Sequence, residues 1–213
     1  MTWAGKRQAI ILSVFVLLLI LVAVPIIFKA VPDPTCSDGK RNQDETGVDC
    51  GGSCQKICKL DAVAPSVIWV RPFSVSSGVV SATAYIANPN PGIVARGAKY
   101  VMKIYDDNGL LLAERAGTTD IPAKTSFPIF EGGIGVGSQV AKTAYFEFVG
   151  DVSWDKYEAK EKIDVSVSAP ELNQEENPRI YATVRNNSSV QLRNVPVVAI
   201  VYDASGNAIA SSQ

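Results

Sequence analysis

One long apolar run near the amino terminus constrains this chain more than any other feature of its sequence. From Ala9 to Phe28 it reads AIILSVFVLLLILVAVPIIF, without a charged residue. Coiled as a helix, the run would be about 30 Å long, which matches the hydrocarbon core of a bilayer. The sequence therefore predicts a transmembrane helix over residues 9–28, with membrane lipid as the partner of this segment.

A cleaved signal peptide is the alternative interpretation of this run. Signal peptides have an apolar core of about 7–15 residues followed by small residues at the cleavage site. The run here is longer, and the bulky Phe28 ends it, so we favour an uncleaved anchor. A short tail stays readily in the cytoplasm, whereas long folded segments cross largely regardless of charge. We therefore expect a single-pass protein of the cell membrane, with a cytoplasmic amino terminus and an extracytoplasmic body.

A cysteine-rich segment over residues 36–58 follows the predicted anchor. It has few large apolar residues, so covalent bonds or a metal must hold it together. The spacing C-x13-C-x3-C-x3-C lacks the C-x2-C pairs usual at zinc sites, which favours two disulfides over a zinc site. Four cysteines allow three pairings, and disulfides require an oxidising compartment. The cysteines are Cys36, Cys50, Cys54 and Cys58, which are all the cysteines of the chain.

The same segment carries many oxygen-bearing side chains among glycines. Hard oxygen ligands on a tightly turning loop suit calcium, although the pattern differs from an EF-hand. The alternative is a solvated loop that the disulfides alone hold. The candidate calcium ligands are Asp38, Asn42, Asp44, Glu45 and Asp49.

Residues 36–54 follow the pattern C-x-D-G-x-x-N-x-x-E-x-x-x-D-C-G-G-x-C. This pattern resembles a short module found in many secreted and surface-anchored bacterial proteins. The resemblance implies an extracytoplasmic setting and no fixed activity.

The remainder of the chain has the pattern of β-strands. Ala82, Ala84 and Ile86 alternate with polar residues, and the same period of two recurs over 99–104, 144–148 and 180–185. Such alternation indicates antiparallel strands with one buried face. Frequent turns between short strands indicate a β-sandwich. We expect an all-β fold after the anchor.

Two local segments complete the prediction of secondary structure. The sequence Asp107-Asn108-Gly109 predicts a hairpin with a primed turn, because Asn-Gly tolerates positive φ angles. After the predicted anchor, residues 154–162 are the one segment with a helical pattern, which we interpret as a short connector.

An internal repeat divides the body into two parts. Tyr105 and Asp106 precede a turn that ends in glycine, and Tyr202 and Asp203 do the same, with an offset of 202 − 105 = 97 residues. A repeat of this size matches one immunoglobulin-like domain. Nothing in the second copy corresponds to residues 117–161. Either the sequence is part of a longer chain, or a partner chain completes the sheet, or the second copy is a smaller variant. The predicted order is a cytoplasmic tail (1–8), transmembrane helix (9–28), linker (29–35), cysteine-rich module (36–58), immunoglobulin-like β-sandwich (63–161) and partial second immunoglobulin-like repeat (162–213).

Two resemblances accompany the repeat. The Asn-Pro-Asn sequence at 88–90, followed by Asp-Ile-Pro-Ala at 120–123, is similar to the late-embryogenesis-abundant group-2, or water-stress, domain. The Tyr-Asp segments at 102–106 and 199–203 resemble the FxLYD domain of bacterial surface proteins, with Met and Ala in place of its Phe. The first resemblance implies an immunoglobulin-like β-sandwich, and both indicate a fold more than a function.

Several candidate sites have simpler interpretations. The glycine-rich stretch 132–137 lacks the Lys-Ser/Thr of a phosphate loop, so we expect a flexible loop. Asp106 and Asp203 follow strands and are expected to form turns. The aromatic residues Trp69, Tyr85 and Trp154 are expected to pack in the core or at an edge, with a ligand-binding surface as the alternative.

The composition excludes several classes of function. The chain has no histidine, which is the commonest general base. Its net charge of −1 leaves no basic surface for nucleic acid. The sequence therefore predicts a protein that is not an enzyme and that serves adhesion, scaffolding or ligand binding, with a protein or carbohydrate partner. The alternative is a subunit of a surface assembly, completed by a strand from a partner chain.

Overall fold

The computed structural model describes residues 3–30, 35–158, 163–173 and 178–213. These residues belong to two compact units, Met1–Ser53 and Cys54–Gln213. The elements are helix α1 (Trp3–Ala30) and strands β1 (Lys56–Ile57), β2 (Ser66–Ser76), β3 (Val79–Asn88), β4 (Ile93–Tyr105), β5 (Leu111–Ile121), β6 (Thr125–Gly135), β7 (Thr143–Phe148), β8 (Trp154–Lys156), β9 (Val165–Asn173), β10 (Arg179–Asn186), β11 (Ala199–Tyr202) and β12 (Ala208–Ser212), with a 3-10 turn at Lys59–Asp61.

The apolar run near the amino terminus is helical, but the prediction of a membrane anchor is wrong. Among the described residues, no helix combines the length and apolar character needed to cross a membrane. This finding overturns the transmembrane helix over 9–28, the lipid partner and the single-pass location in the cell membrane.

Two disulfides hold the cysteine-rich segment, as predicted. They join Cys36 to Cys54 and Cys50 to Cys58. The structure thereby selects one of the three pairings that the sequence left open. Since none of the four cysteines is free, no thiolate remains for a zinc ion.

Two antiparallel sheets form the sandwich that precedes the second repeat. One has the strand order β2-β3-β6, and the other has the order β1-β8-β4-β5, with β7 also paired to β4. Their inner faces meet in one core, where Ile86 of β3, Met102 and Ile104 of β4 and Phe146 of β7 are buried. The alternation predicted over 81–86 and 99–104 therefore corresponds to strands with one face in this core.

Two local predictions are wrong within this sandwich. Residues 154–156 form strand β8, which pairs with both β1 and β4, because Trp154 is buried beside Ala95 and Ile121. The predicted helical connector continues to 162, and its residues 159–162 lie outside the described part. The glycine-rich stretch is a strand up to Gly135, since β6 continues through it as the partner of β3.

The second repeat consists of two separate hairpins. Strands β9 and β10 form one two-stranded sheet, and β11 and β12 form another. The hairpin β11–β12 has a register shift between Val201 and Tyr202, and β4–β5 has one between Ile104 and Tyr105. Among the described residues 163–173 and 178–213, no strand corresponds to β6 or β7.

Candidate functional site

In both repeats, an aspartate side chain closes the turn through hydrogen bonds to two backbone amides. One carboxylate oxygen of Asp106 accepts hydrogen bonds from the amides of Asn108 (2.9 Å) and Leu110 (2.7 Å). The corresponding oxygen of Asp203 accepts from Ser205 (2.9 Å) and Asn207 (2.8 Å). Both aspartates are thus confirmed as turn formers. The two repeats therefore share these hydrogen bonds as well as their sequence pattern.

The turn at 107–109 differs from the primed type that the sequence predicted there, and the turn that ends at Gly206 has the same form. Only Gly109 and Gly206 have positive φ angles in them, each at 80°. A type I′ turn requires two successive residues with positive φ, whereas a type I turn followed by a left-handed glycine requires one. The glycine ends the turn, and the aspartate that precedes it supplies the hydrogen bonds.

An asparagine marks the end of β3 and of β10 in the same way. The side-chain oxygen of Asn88 accepts from the Asn90 amide at 3.1 Å, and that of Asn186 accepts from the Ser188 amide at 3.0 Å. Each side-chain nitrogen donates to a carbonyl a few residues ahead, at Ile93 (3.1 Å) and Val190 (2.8 Å). The asparagines therefore place β10 as the counterpart of β3.

Aligning the two repeats on these residues shows that the second core is open. Residues 180, 182 and 184 of β10 then match 82, 84 and 86 of β3, and 197, 199 and 201 match 100, 102 and 104 of β4. The side chains of β3 and β4 at these positions are at most 6 % exposed. Ile180, Val184 and Val197 are 41 %, 43 % and 51 % exposed.

A groove of about 490 Å³ lies between the two hairpins. Ile180 and Tyr181 of β10 line it, together with Val197, Ala199 and Val201. The one side chain with a charge among the described residues that line it is Arg179. A larger cavity of about 860 Å³ adds Val165, Val167 and Val184 and faces Phe127 and Ile129 of β6. In the described part of the second repeat, apolar side chains thus line both the groove and the cavity.

Side chains of the first sandwich hold the hairpin β11–β12. The guanidinium of Arg71 on β2 donates to the carbonyl of Ala208 (3.1 Å) and the side-chain oxygen of Asn207 (3.2 Å). The hydroxyls of Thr83 and Ser211 are hydrogen-bonded at 2.6 Å. We did not predict these contacts from the sequence, because they join residues more than a hundred positions apart.

The candidate calcium ligands take part in hydrogen bonds within the cysteine-rich loop. Both oxygens of Asp49 accept from the Gly39 amide (3.1 and 3.0 Å), and Glu45 accepts from the Asn42 amide (3.1 Å). Asp44 accepts from the Ser53 hydroxyl at 2.7 Å.

Asp38 accepts from the Lys40 amide (2.9 Å) and the Asn42 side chain (2.7 Å). Its desolvation opposes ionisation, but these hydrogen bonds and one from the Thr35 amide outweigh that effect and lower the pKa of Asp38. These contacts give the five side chains a role in closing the loop, and calcium binding stays a prediction.

Other titratable groups serve to join strands. The Tyr100 hydroxyl donates to Glu131 at 2.7 Å, and burial together with this carboxylate raises the pKa of Tyr100. Lys103 on β4 lies 3.0 Å from Glu147 on β7, and this contact raises the pKa of Lys103. The first contact joins strands of the two sheets, and the second joins the paired strands β4 and β7. Tyr100 also lines the cavity of about 860 Å³.

The aromatic residues singled out from the sequence pack as expected. Trp69 and Tyr85 stack on each other with ring centroids 5.6 Å apart. Trp154 is buried in the small cluster beside Ile121.

No protein-family model matches the chain, and the comparisons with curated proteins and with solved structures also found no match. The resemblances to the cysteine-rich module, the water-stress domain and the FxLYD domain therefore stay predictions. The function has to be argued from the geometry of the second repeat.

Proposed function

We propose that this is a non-catalytic binding protein of an oxidising compartment, in which the first sandwich is a scaffold and the second repeat binds a protein partner. One observation carries the proposal: the second repeat has the hairpins and turns of the first, yet Ile180, Val184 and Val197, which align with buried residues of the first core, are 41 %, 43 % and 51 % exposed. Contiguous exposed apolar side chains are typical of protein-interaction surfaces.

The first repeat supports this proposal, because further strands cover the corresponding strands there. There, β6 pairs with β3 and β7 pairs with β4, and the side chains at the shared face become buried. Strand edges without a partner pair readily with an added strand. This specific observation favours the second candidate function as well, namely a subunit of an assembly that a partner's strand completes.

The chemistry of the described residues favours binding over catalysis. Asp203, Tyr100 and Lys103, whose pKa values are shifted, lie in hydrogen bonds within turns or between strands. The two disulfides favour an oxidising compartment.

Site-specific photo-crosslinking in cells that produce the protein tests this function. A photoreactive residue at Val184, on the open face of β10, is expected to give an adduct of discrete mass with a partner. The matched control is Val140, which is 77 % exposed but lies in the loop after β6. The proposal is refuted if Val184 gives no adduct, or if both positions give the same set.

A further inference from the structure

We propose that the turn of the first repeat carries a site of spontaneous deamidation, formed by Asn108 and Gly109. Asn108 is the only asparagine in the sequence that glycine follows. The corresponding turn of the second repeat has Ser205 before Gly206, so it lacks the side-chain amide that reacts. This modification needs no partner, and it is independent of the proposed binding function.

The reaction joins two groups that are neighbours in the chain. The backbone nitrogen of Gly109 attacks the side-chain carbonyl carbon of Asn108 and forms a C–N bond. The side-chain nitrogen leaves as ammonia, which takes up the proton that the backbone nitrogen loses. Water then opens the five-membered imide at either carbonyl, and the products are aspartate and isoaspartate. No atom changes its oxidation state, so water is the one co-reactant.

The structure leaves the site accessible to this attack. Asn108 and Gly109 are both exposed. Among the described residues other than its chain neighbours, none has an atom within 4 Å of the place where a Cβ of Gly109 would lie. Glycine also has no Cβ that hinders rotation of the peptide. The Gly109 amide donates to the Asp106 carbonyl at 3.4 Å, which is long for a hydrogen bond, so this contact restrains the rotation weakly.

Other asparagines in turns of the described residues lack one of these features. Asn88 and Asn90 are 2 % and 4 % exposed, and each precedes a proline, which has no backbone N–H. Asn187 is exposed, but the side chain of Ser188 hinders attack by the following nitrogen. Asn187 therefore serves as the internal control for Asn108.

Isoaspartate at position 108 is expected to open the turn. One oxygen of Asp106 accepts from the amides of Asn108 (2.9 Å) and Leu110 (2.7 Å). The isoaspartate linkage adds one carbon to the main chain between these two amides, so the carboxylate can no longer reach both. The product is also ionised at neutral pH, and it lies beside the carboxylates of Asp106 and Asp107. The modification therefore loosens the β4–β5 turn.

The test incubates the full chain, with its disulfides intact, in mildly alkaline buffer, which favours loss of the amide proton. Samples are digested under acidic conditions, so that digestion does not convert the site, and the peptides are analysed by mass spectrometry. We expect the peptide with Asn108 to gain the mass of an amide-to-acid change before the peptide with Asn187 does.

Two reciprocal variants exchange the site between the repeats. Asn108→Ser copies the second turn, so the fold should be kept and the mass gain should be lost completely. Ser205→Asn should produce the same mass gain in the second turn, because Gly206 and Gly109 both have a φ of 80°. In the converted wild-type protein, hydrogen exchange at the Leu110 amide should accelerate, while that of the Asn207 amide should stay unchanged.

A parallel incubation in urea separates the chemistry of the sequence from the effect of the fold. Conversion of Asn108 in urea without conversion in the folded chain would overturn the inference, because the turn would then protect the site. Conversion of Asn187 as fast as that of Asn108 would also overturn it, as would a Ser205→Asn variant that stays unmodified. Unchanged Leu110 exchange after conversion would refute the expected opening of the turn.

Discussion

The contrast between a filled and an open core can be measured at one matched position. Ile104 and Val201 occupy the same place in the two repeats, next to the register shift of their hairpins. Ile104 has no exposed surface, whereas Val201 is only partly buried. Truncating each to alanine therefore removes apolar contacts from a packed core in one repeat and from an open groove in the other.

The expected magnitudes differ clearly. Ile104→Ala should lower the free energy of unfolding by about 2–5 kcal/mol, because the cavity adds to the lost transfer free energy. For a chain of this size, that corresponds to a fall in Tm of roughly 4–20 °C. Val201→Ala removes a smaller and partly solvated group, so its cost should be below about 1 kcal/mol.

Urea and thermal unfolding of both variants provide the assay. Far-UV circular dichroism reports the strands, and the fluorescence of Trp69 and Trp154 reports the first sandwich. A midpoint shift without a change in slope identifies a change in stability. Equal losses in the two variants would refute the reasoning, because they would mean that the second core is as well packed as the first.

Three further predictions concern the contacts that hold the turns and hairpins. Arg71→Ala should accelerate hydrogen exchange in β11–β12 while the β3 and β4 amides stay protected, since Arg71 bonds the hairpin through Asn207 and Ala208; equal protection in the variant would contradict this. The hydrogen bond from the Asn207 backbone amide is the main cause that lowers the pKa of Asp203 from its ordinary value of 3.8. The ionised carboxylate therefore stabilises the turn above pH 3.8, and this stabilisation is lost as the pH falls through the lower folded pKa. Amide exchange from pH 6 to 2 checks this direction, with Asp203→Asn as the control. Removing the Cys50–Cys58 disulfide by a double change to serine should cost about 2–5 kcal/mol in the loop that it closes, observed as faster exchange over residues 50–58, with the β3 and β4 amides as the internal control.

The turns and alternating strands could be predicted because short-range chemistry governs them. Asp106 and Asp203 reach amides two and four residues ahead, so the same few residues give the same turn in both repeats. Alternation over 81–86 likewise indicates which side chains share a face, whatever strand pairs with it. The number of disulfides also followed from the sequence, because a segment with so little apolar surface needs covalent support.

The sequence alone determined that strands and turns repeat at an offset of 97 residues and that the cysteines bond in pairs. Only the tertiary structure decided which cysteines pair, that residues 154–156 form a strand, and that Arg71 holds the second repeat. It also overturned the membrane span inferred from the apolar run at 9–28. Neighbouring residues decide a turn or an alternating face, whereas pairing and burial depend on residues that are distant in the chain and adjacent only after folding.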